Sequence, residues 1–158
     1  MNKRLYLLYK ADQGDRSKLK LDDKVGMKKM GERDRKRQKE VIAILKDRKS
    51  LTASDYYRAA MIFQHASGAA HKRAVLLARK SMDMGHVRAK WLYAAAVDRA
   101  LVSAGKKQKF STQFRVSKDG KATSLPIDKR ITDKIRKEYN VPPIAQAKKK
   151  IEAYWKGK

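Results

Sequence analysis

The sequence AAHKRAVLLARKSMDMG occupies residues 69–85, and HVRAKWLYAAAVDRALVSAG follows directly over residues 86–105. Apolar residues recur every three or four positions in both stretches, which is typical of helices that bury one face. Each stretch ends in a glycine, as helices commonly do. The two stretches therefore predict helices over about 69–84 and 86–104 that pack against each other.

The chain just before this pair predicts another helix. Thr52 and Asp55 have the spacing of a capping box with a shorter acid, which places the start of a helix near residue 53 and its end near 66. The alanine-lined helix pairs around Gly85 resemble tetratricopeptide hairpins, although two such units are fewer than a solenoid needs.

The N-terminal third is less regular. Residues 33–46 follow helical spacing, and residues 1–12 are compatible with a short helix. Between them, three glycines lie among mixed charges, which favours a loop or a poorly ordered stretch over residues 13–32.

Beyond residue 105 the pattern changes. Residues 110–116 and 122–125 are strand-like, and Asp119-Gly120 between them suits a tight turn, so a small β-hairpin is expected there. Two further helices are predicted over 128–139 and 143–155.

Together these elements predict a mainly α fold with tetratricopeptide-like helical hairpins in one compact domain over residues 1–158. A small β-hairpin is expected near residues 110–125. The expected organisation is a helical core over 33–105, a loop and hairpin over 106–127, and C-terminal helices over 128–158.

Charge and cysteine content restrict the function. The chain has 158 residues with 41 Lys+Arg against 16 Asp+Glu, a formal net charge of +25. The absence of cysteine excludes disulfides, thiolate nucleophiles and cysteine-ligated metals. No apolar run approaches the roughly 20 residues of a membrane span. A cytoplasmic location is expected, with a removed signal or transit peptide left open.

Basic residues cluster along the chain, and this favours polyanions as partners, because phosphate contacts release counterions. Nucleic acid is expected, with RNA or a ribonucleoprotein favoured over DNA, and an acidic protein is the alternative partner. Phe110 and Trp155 follow two of the clusters and are candidates for base stacking. The candidate phosphate-binding residues are Arg33, Arg35, Lys36, Arg37, Lys106, Lys107, Lys109, Lys148, Lys149 and Lys150.

Some polar residues lie where a solvent-exposed surface position is not expected. Asp98-Arg99 lies on the most apolar predicted helix, where an unpaired charge is costly. If that helix packs against the helix ending at His65, the three side chains meet in one polar pocket. A histidine or aspartate base beside an anion-holding arginine is then available. The structural alternative is a buried ion-pair and amide network that fixes the loop after residue 105 against the helices.

Other catalytic signatures are missing. The three histidines are not spaced to place two metal ligands on one helix face, and no glycine-rich phosphate loop or serine elbow occurs. Neither a metal nor a cofactor is expected.

Several of these polar residues belong to one pattern. The sequence contains Asp98-Arg99-x5-Gly105-x2-Gln108-x-Phe110-x-Thr112-Gln113, preceded by Asp12-Gln13-x2-Arg16 and Gln64-His65. This combination resembles a bacterial family of unknown function, in which a glycine usually stands at the position of Ser111. The resemblance implies a real pocket, whose candidate residues are Asp12, Gln13, Arg16, His65, Asp98, Arg99, Gln108, Thr112 and Gln113. It implies no activity and no ligand.

Two hypotheses follow. The first is a basic, nucleic-acid-associated protein that binds RNA through phosphate contacts. The second is an enzyme or small-ligand-binding protein that uses the polar pocket, with Arg99 holding an anion and Gln108 and Gln113 orienting it.

Overall fold

Seven helices and one two-stranded hairpin make up most of the chain that the structure describes. The computed structural model describes residues 1–18, 23–47, 50–66, 68–117 and 121–156, with side chains of the last helix described to residue 153. The elements are α1 (Lys3–Ser17), α2 (Lys24–Lys46), α3 (Ala53–Phe63), α4 (Ala69–Asp83), α5 (Ala89–Ser103), β1 (Phe114–Val116), β2 (Ala122–Ser124), α6 (Asp133–Glu138) and α7 (Ile144–Lys156). The mainly α fold predicted from the sequence is confirmed.

The central helices α3, α4 and α5 pack in sequence order. Thr52 begins α3 with a true capping box: its hydroxyl accepts the N–H of Asp55, and the Asp55 carboxylate accepts the N–H of Thr52. Gly85 and Gly105 follow α4 and α5 with φ of 86° and 69°, a region that glycine adopts without strain. The sequence pattern over residues 69–105 therefore marks these helix ends correctly.

A shared apolar core joins the first five helices. α1 and α2 both pack on α3, and each contributes aliphatic side chains to the interior. The buried core consists of Leu5, Leu8, Val41, Ala59, Ala60, Ile62, Phe63, Ala74, Leu77, Ala78, Leu92 and Ala96.

Most of residues 13–32 are helical, which corrects the predicted loop. α1 continues to Ser17, and α2 begins at Lys24 after Asp23, whose carboxylate accepts the N–H of Gly26 at 2.7 Å. A glycine inside a helix costs only about 1 kcal/mol relative to alanine. Ion pairs between α1 and α2, described below, offset that cost. Residues 19–22 lie outside the described part of the chain.

A smaller second core supports the C-terminal region. Ala94 of α5 packs with Phe110 and Val141, and Ile135 and Tyr139 cover them. The strands pair antiparallel from Phe114↔Ser124 to Val116↔Ala122, so the predicted hairpin is present, while its turn at Asp119-Gly120 lies outside the described residues.

The C-terminal helices differ in length from the prediction. α6 begins after Thr132 rather than at Asp128, because Asp128 is held by the loop: its N–H donates to the carbonyl of Gln108 at 2.9 Å. α7 packs on β2, where Glu152 accepts the N–H of Ala122 at 3.1 Å. In the described ranges, no helix combines the length and apolar character needed to cross a bilayer.

Candidate functional site

The predicted pocket divides into two separate sites, one at the loop after α5 and one at α1. Asp98 and Arg99 are adjacent in sequence, so their side chains leave the helix in different directions. Asp98 reaches the loop that follows α5, whereas Arg99 donates to the carbonyl of Gln64 at 3.3 Å, at the end of α3. His65, Asp98 and Arg99 therefore do not share one pocket.

Asp98 organises the loop after α5. Its side chain is fully buried, and one oxygen accepts the N–H groups of Lys109 at 2.6 Å and Phe110 at 2.8 Å. The other oxygen accepts the N–H and the hydroxyl of Thr112, both at 2.8 Å. Four donors occupy the carboxylate, so Asp98 is not free to act as the general base considered from the sequence.

Gln108 closes the same loop from the other side. Its buried amide donates to the carbonyls of Gln113 at 3.0 Å and Leu125 at 2.8 Å, and it accepts the N–H of Gln113 at 3.0 Å. Ser111 adopts a positive φ of 54° here, which explains why a glycine suits this position. Asp98, Gln108, Thr112 and Gln113 thus form the loop-fixing amide network, which was the structural alternative.

Arg136 supports this loop through a second buried contact. Its guanidinium is almost fully buried and donates to the carbonyl of Phe110 and, at 2.6 Å, to that of Pro142. Asp133 lies 3.3 Å from its Nε. Arg136 was not among the candidate site residues selected from the sequence.

The second site lies at the C-terminal half of α1. Asp12 is fully buried, and its carboxylate receives Arg16 Nη1 at 2.7 Å and the Gln13 amide at 2.8 Å. His65 Nδ1 lies 3.1 Å from Asp12 Oδ2, the oxygen that also accepts the Gln13 amide, and this contact joins the chain just after α3 to α1. Asp12, Gln13, Arg16 and His65 are therefore brought together.

An ion-pair network extends this site to α2. Arg16 Nη2 bonds Asp34 Oδ2 at 2.8 Å, and Arg37 Nη1 bonds Asp34 Oδ1 at 2.8 Å. Arg37 also pairs with Asp15, which Arg33 Nε contacts at 2.8 Å. Arg37 is buried, so this side chain is not a surface phosphate contact, and Arg33 is engaged by a carboxylate. These two members of the predicted basic cluster hold α2 against α1 instead.

Arg99 is the exception among the arginines at this site. It is half-buried and forms no ion pair with any carboxylate of the described residues. Its Nε is buried without a hydrogen-bond partner in the same part of the chain. Burial, and then the positive charge of nearby Arg16, lowers the pKa of Arg99 below its usual value. A cation is thus held where its own charge is disfavoured.

All three histidines favour their neutral form in the folded protein. Burial lowers the pKa of His65, and the Asp12 hydrogen bond opposes this while Arg16 and Arg99 add to it. Burial also lowers the pKa of His71 and of His86, and nearby arginines lower both further.

These lowered pKa values predict a loss of stability in mild acid. Below about pH 6.5 the unfolded chain binds protons that the folded chain resists, so the free energy of unfolding should fall as the pH drops from 7.5 to 5.5. Each histidine contributes a slope of at most about 1.4 kcal/mol per pH unit. Urea denaturation at both pH values measures the change. The triple variant His65→Gln, His71→Gln, His86→Gln should lose the dependence, and a wild-type midpoint that does not move would contradict the prediction.

The remaining candidate phosphate contacts are mostly at the surface. Lys148 is half-buried and lies 3.9 Å from Glu152. Phe110 belongs to the second core, so it does not stack on bases, and the side chain of Trp155 lies outside the described residues. The exposed candidates are Arg35, Lys36, Lys106, Lys107, Lys109, Lys149 and Lys150.

The structure adds an aromatic cleft that the sequence did not reveal. It has a volume of about 550 Å³ and lies beside the turn between α4 and α5. The rings of Tyr57 and His86 stack at 4.4 Å, and the Arg58 guanidinium lies 5.1 Å from the ring centre of Tyr6. His86 Nδ1 is buried without a partner among the described residues. Residues from three separate parts of the sequence meet here, so no local motif could have indicated the cleft.

Comparison with known proteins gives no match. No family model, curated protein or solved structure matches this chain significantly. The family resemblance and the tetratricopeptide-like detail of the helical hairpins both stay predictions. Within the described ranges, no cluster of His, Asp and Glu is arranged to hold a metal ion.

Proposed function

We propose that this protein binds nucleic acid, RNA in preference to DNA, through phosphate contacts from surface lysines. The observation that carries the proposal is the division of roles between arginine and lysine. Arginine supplies nearly every cation in the ion pairs of the described residues, and Lys148 is the single lysine among them.

This division leaves the excess charge on the surface. The carboxylates that have a cationic partner are Asp12, Asp15, Asp34, Glu40, Asp55, Asp83, Asp128, Asp133 and Glu152. Because most acidic charge is already compensated, the lysines are available to replace the counterions of a polyanion. Release of those counterions provides most of the sequence-independent affinity for nucleic acid.

Two lysine clusters are connected to the hairpin of β1 and β2. Lys106, Lys107 and Lys109 lie on the loop that Gln108 ties to β2 and the segment after it. Lys149 and Lys150 lie on α7, which packs on β2. Both clusters are therefore anchored to the same hairpin, which supports the proposal that one phosphate backbone contacts both.

The aromatic cleft supports RNA, and single-stranded RNA in particular. Unstacked bases of single strands bind by stacking on aromatic rings and on arginine guanidinium planes. The bases of a double strand are stacked on one another and are not available for such contacts. Tyr57, His86 and Arg88 line such a surface. A cytoplasmic setting and a ribonucleoprotein or acidic protein as a further partner belong to the same proposal.

The lysine clusters predict the salt dependence of binding. Because Lys148 already pairs with Glu152, replacing Lys148, Lys149 and Lys150 by glutamine should remove about two phosphate contacts. At about 0.7 per contact, the slope of log affinity against log salt for single-stranded RNA should become less steep by about 1.4. The variant Lys106→Gln, Lys107→Gln, Lys109→Gln should show a similar change. Fluorescence anisotropy with labelled RNA, single-stranded DNA and duplex DNA across about 50–300 mM salt measures this slope.

A matched control separates local contacts from net charge. Arg4, Arg79 and Arg130 are exposed but already paired with Glu40, Asp83 and Asp128. Changing these three to glutamine removes the same formal charge and should change the slope less than either lysine variant. Equal effects from all three variants, or binding by the wild-type protein that is lost by 150 mM salt, would argue against phosphate contacts by the clusters.

The competing hypothesis of an enzyme or small-ligand pocket requires different residues from those first considered. The pocket of that hypothesis consists of His65, Asp98, Arg99, Gln108 and Gln113. Asp98, Gln108 and Gln113 are bonded within the loop after α5. His65 and Arg99 therefore remain as candidates for contact with a ligand. Their environment leads to a separate inference.

A further inference from the structure

The charges around Arg99 do not balance. The network joining α1 and α2 contains the carboxylates of Asp12, Asp15 and Asp34 and the guanidiniums of Arg16, Arg33 and Arg37. These charges cancel, and Arg99 of α5 adds a further positive charge for which the described residues offer no carboxylate partner. Among those residues, the guanidinium of Arg99 makes one hydrogen bond, to the carbonyl of Gln64, and its Nε is buried without a partner. A guanidinium offers five N–H donors, so most of its capacity is unused.

His65 lies close enough to Arg99 for the guanidinium charge to lower the pKa of its imidazole. Because the Asp12 carboxylate can only accept, His65 Nδ1 carries the hydrogen of their 3.1 Å contact. Nε2, on the opposite edge of the ring, then accepts the Gln64 side-chain amide in a long contact of 3.4 Å. Gln64 thus contacts both residues, His65 through this amide and Arg99 through its backbone carbonyl.

We infer that Arg99 and His65 form a binding site for a phosphate group, with Arg16 contributing positive potential from the side. A phosphate has enough acceptor oxygens for the terminal N–H groups of Arg99 and, once a proton is taken up at Nε2, for the His65 imidazole. Its negative charge compensates Arg99, which has no carboxylate partner among the described residues. The buried carboxylate of Asp12 bonds Nδ1 of His65 and so orients the imidazole, as carboxylates do for functional histidines.

The test measures phosphate binding directly. Isothermal titration calorimetry at constant ionic strength uses inorganic phosphate, methyl phosphate and acetate with the full chain. Binding of either phosphate with weak or no binding of acetate is expected. Tighter binding of methyl phosphate indicates a phosphomonoester as the source, and tighter binding of inorganic phosphate indicates the free anion. Acetate binding as tight as phosphate would overturn the assignment.

Arg99→Gln is the decisive variant, and Arg115→Gln is its matched control, since Arg115 is exposed on β1 and has no carboxylate partner in the described residues. Phosphate affinity should fall at least tenfold in Arg99→Gln and stay within twofold in Arg115→Gln. Equal losses in both variants would show that net charge alone attracts the anion and would overturn the site.

A second readout guards against misfolding of the variant. In the wild-type protein, phosphate should shift the NMR signals of the His65 imidazole and raise its pKa, and both changes should be absent in Arg99→Gln. Signals of His65 that do not respond to saturating phosphate would refute the inference. RNA binding by Arg99→Gln is measured in parallel and should remain, because the proposed lysine clusters are unchanged.

Discussion

Replacing Asp98 by alanine is expected to lower the free energy of unfolding by about 3–5 kcal/mol, a range typical of breaking a buried charged network. The carboxylate accepts three backbone N–H groups and one hydroxyl, all within 2.8 Å. Alanine leaves the N–H groups of Lys109, Phe110 and Thr112 without their acceptor in the interior, and unsatisfied buried donors are costly. Urea denaturation followed by circular dichroism measures the change.

Two further variants define the cause. Asp98→Asn keeps the volume but turns an amide N–H toward backbone donors, so it should also destabilise the protein. Asp83→Ala removes an exposed carboxylate whose partner is Arg79, and the loss there should be below about 1 kcal/mol. A stability loss for Asp98→Ala no larger than that for Asp83→Ala would show that the loop does not depend on this carboxylate.

Asp12→Ala is the second change for which a large effect is expected, again about 3–5 kcal/mol. This carboxylate is fully buried and binds Gln13, Arg16 and His65. Its loss leaves two arginines, Arg16 and Arg99, near each other with less negative charge between them. Thermal and urea denaturation measure the cost.

A double-mutant cycle tests whether that cost comes from the pair. Combining Asp12→Ala with Arg16→Met removes both charges, so the double variant should be more stable than the sum of the single losses predicts, by about 0.5–3 kcal/mol. The same cycle on the exposed pair of Arg79 and Asp83 should give about 0.3–0.5 kcal/mol. Additive losses for Asp12 and Arg16 would exclude a coupled network.

The sequence predicts the helices wherever apolar spacing and end signals agree. Over residues 69–105 the periodicity predicts the presence of α4 and α5, and the two glycines place their ends. Thr52 and Asp55 act through neighbouring backbone groups, so their capping box is also readable without tertiary information.

The N-terminal helices were harder to predict, because tertiary contacts stabilise them. Glycines and dense charge argue locally for a loop over residues 13–32. The structure compensates with Asp15 and Asp34, which bind arginines across the α1–α2 interface. Local sequence gives no register for such pairs, so it also could not show that Arg33 and Arg37 are committed to carboxylates rather than available to phosphates.

The directions in which the side chains leave α5 explain why Asp98 and Arg99 belong to separate sites. Adjacent positions on a helix are separated by about 100° of rotation, at 3.6 residues per turn. Asp98 and Arg99 therefore belong to different surroundings even though their sequence pattern is continuous. Sequence identified both residues as unusual, and only the packing of the loop and of α1 could assign them to separate sites.

Arginines form most of the ion pairs that hold the fold, whereas lysines carry much of the surface charge. A chemical treatment can therefore change the surface charge without changing the fold. Reagents that acetylate or succinylate primary amines react with lysine and leave guanidinium groups intact. Graded modification should therefore reduce the positive surface stepwise while the Asp12–Arg16–Asp34–Arg37 network continues to hold α1 and α2 together. The same separation means that substitutions of lysine can accumulate and adjust the attraction to anions over a wide range, with little change in the fold that carries it.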